Sequence, residues 1–186
     1  MEIRLATMQD AKGILSLLKA NHVSSLTEEE QKEGFVTTYF TDEQMETLIE
    51  KEKGVIIAVD NDKVVAFATA APWSFWAQWP LFTYMIEHLA EYSFEGVTLT
   101  EENSYQYGPV CVDKAYRGTG LFQKVFYASL ESMEARFPIM ATFINQINPR
   151  SYAAHTRKVP MDTSGTFPFN GNKYYFMACS TSLKEK

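Results

Sequence analysis

Between Val110 and Phe126 the sequence VCVDKAYRGTGLFQKVF changes its apolar period within a few residues. Before the break, apolar residues run together as in a buried strand. After it, Phe122, Phe126, Leu130, Met133 and Phe137 recur at helical spacing, with Leu121 and Val125 widening the stripe. A strand that feeds straight into an amphipathic helix constrains the fold more than any other stretch, because the helix must pack back onto the sheet that the strand enters. The joint itself is Arg117-Gly118-Thr119-Gly120. Glycines let the backbone curl there. At the start of a helix, unpaired N–H groups and the positive end of the helix dipole together favour an anion. The joint is therefore a pyrophosphate cradle or a plain strand-to-helix turn. A Walker loop is excluded because no Gly-Lys-Ser/Thr follows. The Rossmann fingerprint fails at Gln123, where its third glycine would stand.

Elsewhere the pattern alternates strands and helices. Ile3–Ala6 reads as a strand, and Thr7-x-x-Asp10 resembles a capping box ahead of Ile14, Leu15, Leu17 and Leu18. LTEEEQKEGF predicts a short polar helix, and Thr41-x-x-Gln44 caps another that Gly54 stops. VIIAV and VVAFATA flank DNDK as a hairpin. An aromatic segment follows, with a helix predicted over 80–92, and then the strand SYQYGPVCV. Beyond the glycine joint come the strand IMATFI, a helix in NPRSYAAHTRK with Asn148 as N-cap and Pro149 at its first position, and two strands around Asn170-Gly171. This order predicts an α/β or α+β domain with a mixed sheet.

With 186 residues, 46% of them hydrophobic, the chain supports one core, so residues 1–186 are expected to form a single domain. Cys111 and Cys179 lack CxxC or metal-ligand spacing, so neither a disulfide framework nor a metal site is expected, and reduced thiols in the cytoplasm are the default. MEIRLATMQD carries no secretion signal pattern. The uncharged run Val64–Ile86 is long enough to span a bilayer, but Pro72, Pro80, Gln78 and several hydroxyl residues interrupt it, and no membrane partner is expected. A net charge of -6 argues against general nucleic-acid binding. That charge is uneven: residues 1–112 carry a net -11 and residues 113–158 a net +4. The basic part suits a small anionic ligand and the acidic part a cationic one, although solvated surface charge explains the counts equally well.

VCVDKAYRGTGLF resembles motif A of the GCN5-related N-acetyltransferases, V-x-V-x-x-x-x-R-G-x-G-[I/L]-[G/A], and NPRSYAAH resembles the same family's N-x-x-[A/S]-x-x-x-[Y/H] helix at Asn148, Ser151 and His155. His at the last position is similar to the phosphinothricin-type branch. The resemblance implies a central, mostly antiparallel mixed sheet with helices on both faces and a splay between strands four and five. It implies an acetyl-CoA-dependent N-acetyltransferase that acts on a small-molecule amine, or on a peptide, by direct attack on the thioester. A coenzyme A-binding sensor without catalysis is the alternative, and a homodimer is left open.

By that resemblance Val110, Cys111 and Val112 would pair with the pantetheine arm, and the N–H groups of Arg117, Gly118, Thr119, Gly120, Leu121 and Phe122 would hold the pyrophosphate, with Asn148 and Ser151 also on the coenzyme side. His155 would protonate the departing thiolate, a task suited to an imidazole titrating near neutrality. Three residues or stretches depart from the family pattern: Phe122 stands for Gly/Ala, KVPMD follows the last helix, and Gln106 stands where histone-type members carry a basic Glu. The base is left to Glu101, Glu102 or a water. Trp73, Trp76, Trp79 and Tyr107 are candidates for the acceptor pocket, against the plainer reading of core packing.

Overall fold

The computed structural model describes residues 1–185. Its main sheet has seven strands in the order β1-β2-β3-β6-β7-β9-β8. These are β1 (Glu2–Leu5), β2 (Val55–Asp60), β3 (Lys63–Pro72), β6 (Ser104–Val112), β7 (Ile139–Asn145), β8 (Asp162–Phe169) and β9 (Asn172–Ser180). Between β3 and β6, β4 (Ser93–Phe94) and β5 (Val97–Thr98) form a separate two-stranded hairpin around Glu95-Gly96. All pairings in the main sheet are antiparallel except β6 with β7.

Period-two alternation sends successive strand residues to opposite faces, and each face is buried by helices. On one side α1 (Ala11–Asn21), α3 (Asp42–Glu46), α4 (Trp73–Trp76) and α5 (Pro80–Glu87) pack with Ile57, Phe67 and Phe176. On the other, α6 (Leu121–Met133) packs with Ile56, Ala68 and Met140, and Tyr152 of α7 (Pro149–Arg157) joins it from the rim. The short α2 (Glu28–Gln31) lies outside both layers, and its capping box at Thr27 and Glu30 is present. The Thr41–Gln44 box is likewise present, whereas Thr7–Asp10 starts a single 3-10 turn ahead of α1. The predicted helix over 80–92 is shorter: α5 ends at Glu87, and a 3-10 turn at Leu89–Glu91 follows. Among the described residues no helix is long and apolar enough to cross a membrane. The uncharged run Val64–Ile86 is divided among β3, α4 and α5.

The feature that positions the site is the brevity of the β6–β7 ladder. Only Ser104, Tyr105 and Gln106 pair with Ile139, Met140 and Ala141. From Tyr107 onward the strands diverge while β7 continues to pair with β9. Gly108 sits at the divergence with φ 103, a conformation that a Cβ would strain. The predicted splay is thus present, between the fourth and fifth strands of the main sheet. In chain order those are β6 and β7, because the β4–β5 hairpin intervenes.

Candidate functional site

Gly118 and Gly120 have φ of 81 and 85, and a Cβ built on either would meet nothing within 4 Å. The two glycines are therefore required by the left-handed backbone and not by crowding within the protein. Among the described residues, the N–H groups of Gly118, Thr119 and Gly120 donate to no protein acceptor, and those of Leu121, Phe122 and Gln123 open the first turn of α6. Six successive N–H groups at a helix start form a concave donor set for an anion.

Arg117 differs from the other residues of the joint. Its N–H already donates to the Lys114 carbonyl at 3.3 Å. Its guanidinium reaches the carbonyls of Val112 (3.3 Å) and Glu33 (3.2 Å) and Oδ1 of Asn21 (2.8 Å). The expectation that Arg117 lends an N–H to a pyrophosphate is thereby corrected: it staples the joint to α1 and to the segment 33–38. Thr119 also turns back, its hydroxyl donating to the Tyr116 carbonyl at 2.7 Å.

The segment 33–38 walls two adjoining clefts. The outer cleft runs past the glycine joint, Val110–Val112, Arg150 and Lys158. The inner cleft enters the splay between Tyr107–Val110 and Thr142–Asn145. Phe35, Val36, Val110, Ser151 and His155 border both, so the two meet at His155. Asn148 caps α7, its Oδ1 accepting from Ser151 N–H at 3.3 Å, while its Nδ2 donates to the Phe35 carbonyl at 3.0 Å. One buried amide thus fixes both the helix start and the wall.

His155 is buried, and its Nδ1 lies 2.8 Å from the Ser151 carbonyl. A carbonyl only accepts, so Nδ1 carries the proton and Nε2 keeps its lone pair. Phe122 stands edge-on to the imidazole at 5.1 Å between centroids and Tyr107 at 6.0 Å. Phe122 is therefore no misfit in the motif: its half-buried ring faces the cleft and seals His155. Burial pushes the imidazole down to about 4, against the opposing Ser151 hydrogen bond. At pH 7 the ring is neutral, which corrects the expectation of titration near neutrality.

This has a consequence for stability. The folded value lies below the ordinary 6.5, so the unfolded chain binds the proton more readily. The contribution is complete above about pH 6.5 and is lost as pH falls towards 4, at most about 3 kcal/mol. Between pH 7 and pH 4 the wild-type Tm is expected to fall further than that of His155→Gln, with unfolding followed by circular dichroism. Parallel curves would remove the buried neutral imidazole from the account.

Cys111 borders the outer cleft, but burial pushes its thiol far above the usual range, in keeping with no nucleophilic role. Trp73 and Trp76 border neither cleft. Both are fully buried, with Trp73 Nε1 donating to Ser104 Oγ (3.0 Å) and Trp76 Nε1 to the Ala71 carbonyl (3.1 Å). Trp79 is half-buried against Phe40, Phe75 and Trp76. The tryptophans are thus core, which corrects their candidacy for the acceptor pocket. Trp76→Ala should lower unfolding free energy by about 3–5 kcal/mol in denaturant titration. A loss under about 1 kcal/mol would contradict that placement.

Tyr107, by contrast, does border the inner cleft, as do Gln106, Phe35, Phe82, Phe143 and Tyr174. The sequence reading missed these last four because a long-range fold brings them together. Glu101 and Glu102 are exposed residues of the turn before β6 and border neither cleft.

The architecture is that of the GCN5-related N-acetyltransferases, a mixed and mostly antiparallel sheet with helices on both faces and a splay at its parallel junction. Among solved structures the chain is similar to a ribosomal-protein-alanine N-acetyltransferase from Brucella melitensis, at TM-score 0.63 and 20% identity over 97% of this chain and 99% of that one. It is similar to an N-acetyltransferase from Staphylococcus aureus Mu50, at TM-score 0.64 and 16% identity over 97% and 98% of the two chains. It also matches the Salmonella typhimurium protein yncA, solved with its cofactor acetyl-CoA, at TM-score 0.65 and 16% identity over 100% and 96%. No family model matches the chain, and no curated protein matches its sequence.

Proposed function

We propose that the protein is an acetyl-CoA-dependent N-acetyltransferase that moves the acetyl group directly to a primary amine. The observation that carries this reading is the continuity of the two clefts. A row of unpaired N–H groups suited to a pyrophosphate leads along the free side of Val110–Val112 to His155, at the mouth of the splay.

In this reading the joint from Gly118 to Phe122 holds the pyrophosphate, and Arg150 and Lys158 add positive charge at the rim. The backbone of Val110–Val112 aligns the pantetheine arm, and the splay admits the amine from the opposite side. His155 Nε2 takes the proton that the amine nitrogen sheds as it bonds to the thioester carbon. It then gives that proton to the sulfur as the carbon–sulfur bond breaks. The products are an amide and a thiol, and the imidazole returns to its neutral form. A group that titrates near 4 is a weak base, but once charged it is a strong acid towards a thiolate. Among the described residues no carboxylate borders the inner cleft, and this reading assigns the relay to the ring.

The same clefts would serve a coenzyme A sensor without chemistry. Calorimetry with acetyl-CoA beside thiol release over a panel of amines separates the readings. Micromolar binding with amine-dependent thiol release is expected; binding with no release from any amine would leave the sensor.

A further inference from the structure

The wall shared by the two clefts has almost no secondary structure to hold it. Between α2 and α3 the chain forms neither helix nor strand, and its one ladder contact is the parallel bridge of Val36 with His22. In that bridge the Val36 N–H donates to the Asn21 carbonyl at 3.0 Å, and the Val36 carbonyl accepts from the Val23 N–H at 2.9 Å. Gly34, at φ 98, bends the chain just before it. The place of such a segment is set by the side chains that grip its backbone. Among the described residues two do so, Asn148 at the Phe35 carbonyl and Arg117 at the Glu33 carbonyl.

Of these two, only Arg117 belongs to the glycine joint. Its fork also reaches Asn21 Oδ1 at 2.8 Å and the Val112 carbonyl at 3.3 Å. Asn21 is buried at the C-terminal end of α1, and its Nδ2 donates to the Leu17 carbonyl at 2.9 Å. A carbonyl cannot donate, so the amide is fixed with Oδ1 towards the guanidinium. The contacts close into a ring. Arg117 holds Asn21 by its side chain, Asn21 holds Val36 by its carbonyl, and Glu33, three residues before Val36, returns to Arg117. A planar fork gripped at three carbonyl-type oxygens moves only with that ring. The ion pair of Glu33 with Arg150, at 3.5 Å, joins two exposed side chains and adds little.

Building on the acetyltransferase reading, we propose that Arg117 and Asn21 are positioning residues that couple the coenzyme joint to the wall of the acceptor cleft. The residues directly after Arg117 carry the N–H groups that would take the pyrophosphate. Filling them pins the joint, the pinned joint holds the guanidinium, and the guanidinium holds the segment 33–38 where it shapes the inner cleft. The acceptor then meets a wall already ordered by the coenzyme, which is positive coupling without a change of shape. Such coupling is reciprocal and typically about 5- to 150-fold.

The bridge supplies a reporter. Val23 borders neither cleft, so bound coenzyme cannot shield its N–H directly. Amide exchange is measured on the whole chain with and without saturating coenzyme A, beside calorimetry for coenzyme A affinity. In the wild type, coenzyme A is expected to slow exchange at Val23 and Val36 about tenfold, the size of a typical coupling. Asn21→Ala removes the anchor of the fork, and Arg117→Lys keeps the charge without the fork. In each folded variant the slowing at Val23 should fall below about twofold, while coenzyme A affinity changes by less than about fivefold. The double variant should lose no more than the worse single one, as members of one ring do. With an active amine, each variant should raise the amine KM about tenfold and leave kcat within about threefold. Val23 exchange that ignores coenzyme A in the wild type, or slows as much in a folded variant, overturns the inference. Slowing at Val23 without acetyl transfer to any amine keeps the coupling and removes the catalytic reading, whereas no coenzyme A binding at all removes both.

Discussion

Gly120→Glu is expected to raise the acetyl-CoA dissociation constant several hundredfold in a variant that keeps the wild-type circular dichroism spectrum. The φ of 85 at this position costs any L side chain about 1–2 kcal/mol, but the space beyond the Cβ is open, so the fold should absorb the change. The carboxylate would then lie in the row of N–H groups meant for the pyrophosphate. Two unit charges about 4 Å apart at an effective dielectric near 20 repel by about 4 kcal/mol. Gly120→Ala carries the same backbone strain without the charge and should weaken binding by less than about tenfold. Calorimetry on the pair isolates the electrostatic part. A folded glutamate variant that binds like the alanine variant would remove the cradle from the mechanism.

His155→Phe should lower kcat by about 100-fold or more, the usual loss for a missing proton-transfer group, with acetyl-CoA affinity within a factor of about three. Phenylalanine preserves the edge-on contacts with Phe122 and Tyr107. It also removes the Nδ1 bond to Ser151, which touches only the helix backbone. His155→Tyr should recover part of the rate, because its hydroxyl can donate to a thiolate at the same place. The informative comparison is the ratio of kcat to dissociation constant across the three proteins, measured with one active amine. Equal kcat in all three would make the imidazole a packing residue.

Local chemistry was legible in the sequence, and long-range chemistry was not. The glycine joint, the Asn148 cap, the Asn170-Gly171 hairpin and the polar helix at Glu28–Gln31 depend on residues a few positions apart, and each occurs where its pattern places it. Arg117 belongs to a motif, yet its side chain is spent on Asn21 and Glu33, 96 and 84 positions away. The segment 33–38 carries no motif, but Asn148 at a separation of 113 residues makes it a wall of both clefts. Tryptophans announce area to be buried without saying which face buries it, so Trp76 and Phe82 could be sorted into core and cleft only once α4 and α5 had docked. The value reached by His155 likewise follows from its burial, and Phe122, which the motif alone marks as a departure, stands edge-on to the buried ring.

The brief pairing of β6 with β7 divides the main sheet into two plates. One holds β1, β2, β3 and β6, all complete by Val112; the other holds β7, β9 and β8, all made after Ile139. Three residue pairs form the seam, and α6 carries the chain across it. Beyond Gln106 the two strands share no further ladder pair, and the Thr142 hydroxyl donating to the Tyr107 carbonyl at 2.7 Å ties the plates there. A ligand lodged in the splay touches both of them and acts as a rivet. Occupancy is therefore expected to stiffen the seam, and amide hydrogens at Tyr107, Gly108 and Thr142–Asn145 are the ones whose exchange it should slow most.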